Sequence, residues 1–462
     1  MIKYEKGFFE ALLSENPWWK TGQVPLATLY PKKRAVYKKL EPELSTKRIL
    51  TVSGPRRVGK SVLLHQLIKT LIERGTPPHA ITYYSMDDPA ILAHADSPIQ
   101  DIVDFAQNRS LENRTYVFLD EIQTNKGWHQ WIKAYYDREA RIKFILSGSS
   151  SLDIQTEANQ YLRGRTVDIE VRPLDFIEFL EFIGTPPPDS NIQDPVGLLA
   201  AEKQIRPFIE EYLLVGGFPE WFDIRNETNA RQRWLTHLLS DIPKKAIYED
   251  VAVQFNIRNP KVIDLLLSLL ALQQSKILSY ETLNETVQLD RATLLNYLEF
   301  LKASYLVLEV PLFAPPKKQL KAMKKFLIAD PGLRNSIVKQ YDLTEENKGY
   351  QVENAVGIAL STRSEHLTYW RHQNHEVDYV ADDVPIEVKY RNDIKDKDLR
   401  GLLKFLETED KPIGIVITKN QTEEKSFGTK KIRFMPLWKF LVETKREAQA
   451  TNESLKDAGG GI

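Results

Sequence analysis

The chain has no cysteine among its 462 residues, which excludes disulfides, thiolate metal sites and cysteine nucleophiles. Any metal it holds must take oxygen or imidazole ligands. Imidazole gets little support, because His65, His129, His366, His372 and His375 show no H-x-x-x-H spacing on one element, and no zinc site is expected. No apolar run approaches the length of a membrane span, so a soluble protein without a membrane partner is expected. Charge of one sign is not in excess either, since 63 basic and 63 acidic residues balance. That balance argues against a wholly basic nucleic-acid coat protein and leaves room for local basic patches. The opening MIKYEKGFFEALLSENPWW lacks a long apolar stretch and a small-residue cleavage site, so a cytoplasmic address is expected. No repeat period stands out, and the one low-complexity stretch, SLKDAGGGI, reads as a frayed tail.

What is present divides into parts, and the length alone leads to an expectation of roughly two to four domains. From Arg48 a β-rich run, RILTVSG, passes through a glycine-containing loop into the helical spacing of SVLLHQLIKTLIERG, closed by Gly75 and the Pro77-Pro78 pair. The runs AITYYSM, TYVFLD, KFILSG and TVDIEV follow, with separations long enough for helices. The pattern predicts an α/β fold with a five-stranded parallel sheet and crossovers. After Pro173 come the helical LDFIEFLEFIG, an exposed TPPPDSNIQDP loop and a helical block that reads as a lid. From Asn259 three helical patterns precede YLVLEVPLF, a basic PPKKQLKAMKK loop and FLIAD, the order of a winged helix with a two-stranded hairpin. Beyond Gly349 a helix, three strands, a helix and the strand PIGIVIT predict a separate α/β domain. The expected boundaries are 1–45 for an N-terminal helical segment, 46–180 for the sheet core, 181–255 for the lid, 256–345 for the winged helix, 346–445 for the last domain and 446–462 for the tail.

Gly54-Pro-Arg-Arg-Val-Gly59-Lys60-Ser61 fits G-x-x-x-x-G-K-[ST] and lies between a predicted strand and a predicted helix. Gly54 and Gly59 let backbone N–H groups, with Arg57 between them, close around phosphate at a helix N-terminus. Lys60 is expected on the β and γ phosphates of ATP and Ser61 on Mg²⁺. TYVFL ends in Asp120-Glu121, which supplies one carboxylate for the Mg²⁺ shell and another to polarise the attacking water. Ser147, at the end of KFILSG, is expected beside the γ-phosphate, although Ser-Gly-Ser also suits a tight turn. Arg163 and Arg165 precede the last strand. Two readings are open for them: an arginine that completes a neighbour's ATP site, or a solvated pair.

The segments GPRRVGKS, YYSMDDP, VFLDEIQ, LSGSSSL, LRGR, RPLDFIEFL, YLLVGGFPE, EVDYV and PIEVKY, in that order, resemble the prokaryotic AAA-type ATPases with an AAA_14 domain followed by a DUF4143 region. The resemblance runs from about Lys32 to Leu441. It implies a P-loop AAA+ core, a winged-helix part and a restriction-endonuclease-like C-terminal fold. It also implies self-association, by analogy as a hexamer.

Asp378 lies in EVDYV, and Glu387 and Lys389 lie in IEVKY two positions apart, hence on one face of a strand. Asp, a gap and E-x-K arise about once by chance in a chain this long. Their strand context and Glu353 on a helix upstream strengthen the pattern. It looks like the PD-(D/E)xK nuclease arrangement, with Asp378, Glu387 and Glu353 as Mg²⁺ or Mn²⁺ ligands and Lys389 near the attacked phosphate. A degenerate fold kept for binding, or a plain salt-bridge cluster, is the competing reading. Lys317, Lys318, Lys321, Lys324 and Lys325 in the basic loop are candidates for phosphate contact with duplex or branched DNA, or for simple solvation. The expected function is an Mg-ATP-hydrolysing ATPase coupled to a metal-dependent nuclease-like domain acting on DNA. The alternative is an ATP-switched signalling or defence protein whose last domain only binds.

Overall fold

The structure, a computed structural model, describes residues 6–90, 97–110, 114–138, 141–149, 161–189, 192, 194–251, 257 and 259–443. The expected tail at 446–462 and the last serines of KFILSGSSS lie outside the described residues. The chain divides into two compact units, residues 1–172 with 303–305, and residues 173–302 with 306–462.

In the first unit α1 (Lys6–Glu15) and α2 (Tyr37–Glu43) precede β1 (Ile49–Ser53), α3 (Lys60–Glu73), β2 (Ile81–Ser85), α4 (Pro98–Arg109), β3 (Thr115–Asp120), α5 (Trp128–Arg138), β4 (Ile142–Gly148) and β5 (Thr166–Glu170). The five strands form one sheet in the order β2-β3-β4-β1-β5, parallel throughout. Every residue of β1 and β4 is buried, which is why these strands read as continuous apolar runs rather than alternating ones. Phe8, Leu12, Ile102, Trp128, Phe144 and Leu146 belong to the core on one face. Strand β2 is an edge, and the N-terminal segment covers it. The Asn16 amide donates to the Tyr83 carbonyl at 2.8 Å and accepts from the Tyr83 N–H at 2.7 Å. Both indole N–H groups of Trp18 and Trp19 donate to the Ile81 carbonyl. These bonds satisfy backbone groups that would otherwise template pairing with another chain. Because β3, β4 and β1 are adjacent and parallel, the segments after their C-terminal ends lie side by side, and that edge is where such sheets place a site.

The second unit begins with α6 (Phe176–Ile183), α7 (Pro195–Val215) and α8 (Ala230–Leu239). Helix α6 starts in a capping box between Asp175 and Glu178 and stops at Gly184, whose φ of 88° favours glycine. Next come α9 (Pro260–Leu272), β6 (Ile277–Leu278), α10 (Tyr280–Val287), α11 (Arg291–Ala303), β7 (Val307–Val310) and β8 (Lys324–Ile328). The sheet here has three strands, β6-β8-β7, rather than the two of the expected hairpin. The extra strand is two residues long, too short to leave an alternating signature. After α12 (Pro331–Val338) and α13 (Glu345–Arg363) the order is β9 (Leu367–His372), β10 (His375–Ala381), β11 (Val384–Lys389), α14 (Arg400–Thr408), β12 (Ile413–Thr418), β13 (Glu423–Phe427), β14 (Lys430–Pro436) and α15 (Leu437–Val442). Strands β9, β10 and β11 form an antiparallel meander, and β12 joins β11 in parallel after the α14 crossover. Among the described residues no helix is long and apolar enough to cross a membrane.

Candidate functional site

Two clusters of chemistry-bearing side chains stand out, one in each unit. The first follows β1. The loop from Gly54 to Gly59 feeds directly into α3, whose first residue is Lys60. A side chain at Gly54 would put its Cβ 2.1 Å from the Val171 carbonyl oxygen, and Gly59 has a φ of 90°, so both positions require glycine. Arg57 also has positive φ, at 66°. Lys60 is 4% exposed, and its ammonium donates to the carbonyls of Gly54 at 3.1 Å and Pro55 at 3.0 Å. The same ammonium lies 3.8 Å from Glu121 Oε1.

Asp120 is the hub. Buried at the end of β3, it accepts from the Ser61 hydroxyl at 2.5 Å and the Tyr83 hydroxyl at 3.0 Å on Oδ2. Its Oδ1 accepts from the Ser147 hydroxyl and from the Glu121 N–H. Burial, then the Asp120 charge, pushes the Tyr83 hydroxyl pKa up, so Tyr83 stays a donor. Glu121 has a left-handed backbone, φ 50°, of the kind that persists where surrounding contacts over-determine it. Gln123 donates to Glu121 Oε2 at 2.6 Å and to the Ser149 hydroxyl at 3.0 Å. The structure therefore brings Gly54, Gly59, Lys60, Ser61, Asp120, Glu121 and Ser147 to one sheet edge. The donor set, a hydroxyl and a carboxylate beside a buried ammonium, is the hard-oxygen chemistry that suits Mg²⁺ with a phosphate chain.

Sequence reasoning did not single out Tyr83, Gln123 or Arg34. Tyr83 sits on the neighbouring strand with no spacing signal. Arg34, in the segment before the sheet, donates to the carbonyls of Val58 at 3.2 Å and Arg172 at 2.9 Å, tying down the loop's far side.

Arg163 and Arg165 lie elsewhere in the same unit. The Ile49 N–H donates to the Arg165 carbonyl at 2.8 Å, and Ser53 pairs with Glu170. Both arginines are therefore at the N-terminal end of the strands, opposite the end that leads into the phosphate loop, a strand length of about 16 Å away. Arg163 is exposed. Arg165 pairs with Asp137 at 3.0 Å.

The second cluster is in the C-terminal unit. Glu353 on α13, Asp378 on β10 and Glu387 and Lys389 on β11 do come together. The Asp378 N–H donates to Glu387 Oε2 at 3.3 Å, Val388 N–H donates to Asp378 Oδ2 at 2.8 Å, and Lys389 pairs with Glu387 Oε1 at 2.5 Å. Burial and then the Asp378 charge push the Glu353 and Glu387 carboxyls upward. Burial alone would lower the Lys389 ammonium, but Glu387 and Asp378 outweigh it and raise it.

Lys324 and Lys325 require a correction. They are not in the basic loop but open β8, and both are buried. Lys324 donates to the Gln319 carbonyl at 2.7 Å and lies 3.5 Å from Glu309. Lys325 enters the carboxylate cluster, 3.0 Å from Glu353 Oε1, 3.5 Å from Glu376 Oε1 and 3.7 Å from Asp378 Oδ1. A buried ammonium persists only where carboxylates compensate it, and those lie on elements up to 53 positions away, beyond any local pattern. Glu376 is likewise a member that the sequence did not flag. Lys317, Lys318 and Lys321 do remain exposed. Among the described residues no group of three or more carboxylates or histidines is arranged to hold a metal ion. As arranged, the Glu353, Asp378 and Glu387 donor set does not fit a divalent cation.

Residues 46–180 match the family model described as an AAA domain, so this part of the chain is an AAA-type ATP-binding domain. Residues 206–344 and 348–440 match two domains of unknown function, DUF8612 and DUF4143. An uncharacterized protein of Methanocaldococcus jannaschii is 26% identical over 359 residues, 76% of this chain and 75% of that one. An uncharacterized protein of Haemophilus influenzae is 25% identical over 345 residues, 72% of this chain and 79% of its own length. Among solved structures, AMPPCP-bound DnaA from Aquifex aeolicus aligns at 15% identity with a TM-score of 0.26, covering 62% of this chain and 92% of that chain.

Proposed function

We propose that this protein is a Mg-ATP-hydrolysing AAA-type ATPase that self-associates and uses the nucleotide cycle to act on DNA through its C-terminal half. The observation that carries the reading is the convergence on Asp120 of Ser61 and Ser147, with Lys60 and Glu121 3.8 Å apart beside them. In this reading Lys60 binds the β and γ phosphates, and Ser61 and Asp120 hold Mg²⁺, which neutralises charge on the phosphates. Glu121, held by Gln123, takes the proton of the attacking water. Ser147 orients the γ-phosphate.

Arg163 and Arg165 lie a strand length from their own loop, which suits a second copy's nucleotide or a solvated pair better than their own nucleotide. That geometry supports action in trans over action in cis. The three-helix, three-strand unit containing β6, β7 and β8 has the order of a winged helix, and exposed Lys317, Lys318 and Lys321 suit phosphate. The helix, three-strand, helix, strand order from α13 to β12 supports a nuclease-like fold, with Asp378, Glu387 and Lys389 at the expected strand positions. A second reading has a specific observation in its favour. With Lys325 inside the carboxylate cluster, the last domain binds nucleic acid or protein without cutting, and ATP acts as a switch for signalling or defence.

ATP turnover and DNA integrity, measured together on single-stranded, duplex and four-way-junction DNA, test the proposal, with Lys60→Ala and Asp378→Ala as controls. DNA-stimulated turnover that Lys60→Ala abolishes is the expected result. No turnover on any DNA, with nucleotide locked after a single round, supports the switch reading. Mg²⁺-dependent cutting lost in Asp378→Ala assigns cleavage to the C-terminal cluster.

A further inference from the structure

We propose that Lys325 is the resident cation of the C-terminal carboxylate cluster, delivered by β8 into the place a divalent metal would take. While β8 is seated, the cluster therefore binds no metal. The inference goes beyond the ATPase reading, and under it Mg²⁺-dependent cutting by this cluster requires the Lys325 ammonium to leave first.

The case rests on geometry. Lys325 is 0% exposed. Its ammonium, with three N–H donors, donates to Glu353 Oε1 at 3.0 Å and to the Asp378 carbonyl at 3.2 Å. Glu376 Oε1 and Asp378 Oδ1 follow at 3.5 and 3.7 Å, and the Tyr379 ring lies 5.1 Å away. A hard divalent ion needs carboxylate oxygens at about 2.0–2.6 Å around one point. The space between Glu353, Glu376 and Asp378 is already held by a positive charge that a metal would have to displace. Other oxygens of the cluster are engaged as well: Asp378 Oδ2 accepts from the Val388 N–H, and Glu387 accepts from the Asp378 N–H and Lys389.

Lys325 also differs from a mobile surface lysine. It is fixed in strand register, opposite Ile277 on one side and Val310 on the other. Slipping β8 by one residue would turn the side chain to the other face of its sheet, so the ammonium leaves the cluster only by unseating the strand or by rotating out of a buried position. The small three-stranded sheet is thereby coupled to the state of the carboxylates on α13 and β10: ammonium in, metal excluded; ammonium out, Glu353, Glu376 and Asp378 exposed to a cation.

The test uses the full chain without nucleotide, titrated with Mn²⁺ and read by electron paramagnetic resonance and by thermal melts with and without the ion. Wild type and Asp378→Asn are expected to bind Mn²⁺ alike. Lys325→Met is expected to gain an additional Mn²⁺ ion and a Mn²⁺-dependent rise in melting temperature, both lost in Lys325→Met/Asp378→Asn. Lys325→Arg, which keeps a cation, is expected to behave as wild type. A wild-type Mn²⁺ site that Asp378→Asn removes overturns the proposal, as does a folded Lys325→Met chain that gains no site. Should Lys325→Met fail to fold, the comparison of wild type with Asp378→Asn decides by itself.

Discussion

The Ser61 hydroxyl donates to Asp120 Oδ2 at 2.5 Å, joining the first turn of α3 to the end of β3 across 59 positions of sequence. That bond makes one site of two motifs, and it separates binding from chemistry in an experiment. Lys60→Ala removes the buried ammonium beside the loop. ATP affinity, read with a fluorescent analogue, is expected to fall by roughly 30-fold or more, the cost of breaking a buried charged contact. Glu121→Gln keeps the hydrogen-bonding shape and loses the carboxylate proposed as the base, so binding should persist while phosphate release slows by about 10²–10⁴.

The placement of Arg163 and Arg165 at the end of the strands far from the phosphate loop leads to a mixing experiment. Arg163→Ala and Arg165→Ala each retain ATP binding, and the one that acts on a neighbour loses about 10³ or more in turnover. Combining that variant with Glu121→Gln at equal concentration restores part of the activity, because some interfaces then pair an intact base with an intact arginine. Normal turnover in both single variants excludes the trans role.

Lys317, Lys318 and Lys321 are exposed, whereas Lys324 and Lys325 are buried. If the exposed three touch DNA phosphates, changing each to alanine reduces the slope of log affinity against log salt by about 0.9. Binding measured from low to moderate salt should show that loss for these three. A slope that all three changes leave untouched removes this segment from the interface.

Asp330 carries a pH prediction. Its carboxylate accepts from the Gly217 N–H at 2.7 Å and the Leu333 N–H at 2.9 Å while wholly enclosed, and burial pushes its pKa up to about 6. The folded state holds the proton more tightly than the unfolded chain does. Its stabilising contribution is therefore complete below the unfolded value near 4 and is lost as pH rises through about 6, by roughly 2–3 kcal/mol. Melting temperature should decline over that window in wild type and decline less in Asp330→Asn. Asp330→Ala should cost roughly 1–3 kcal/mol for each backbone donor it leaves unpaired, measured by denaturant unfolding.

The sequence by itself determined the five parallel strands and the phosphate loop, because a strand buried on both faces writes itself as an apolar run and a phosphate cradle demands glycine at fixed spacing. It also placed Asp378, Glu387 and Lys389 on strands whose side chains share a face, since period two is a local property of the backbone. Tertiary structure decided what those residues meet. Nothing near Lys325 in the chain distinguishes it from Lys317, Lys318 or Lys321 in the same basic run. Only strand pairing, which fixes which side of β8 faces α13 and β10, turned one lysine of that run into the partner of Glu353, Glu376 and Asp378. The same reason hid Tyr83 and Gln123 beside Asp120 and Glu121. Side-chain identity is written locally, but an electrostatic partner is set by contacts between distant elements, and those exist only once the chain has folded.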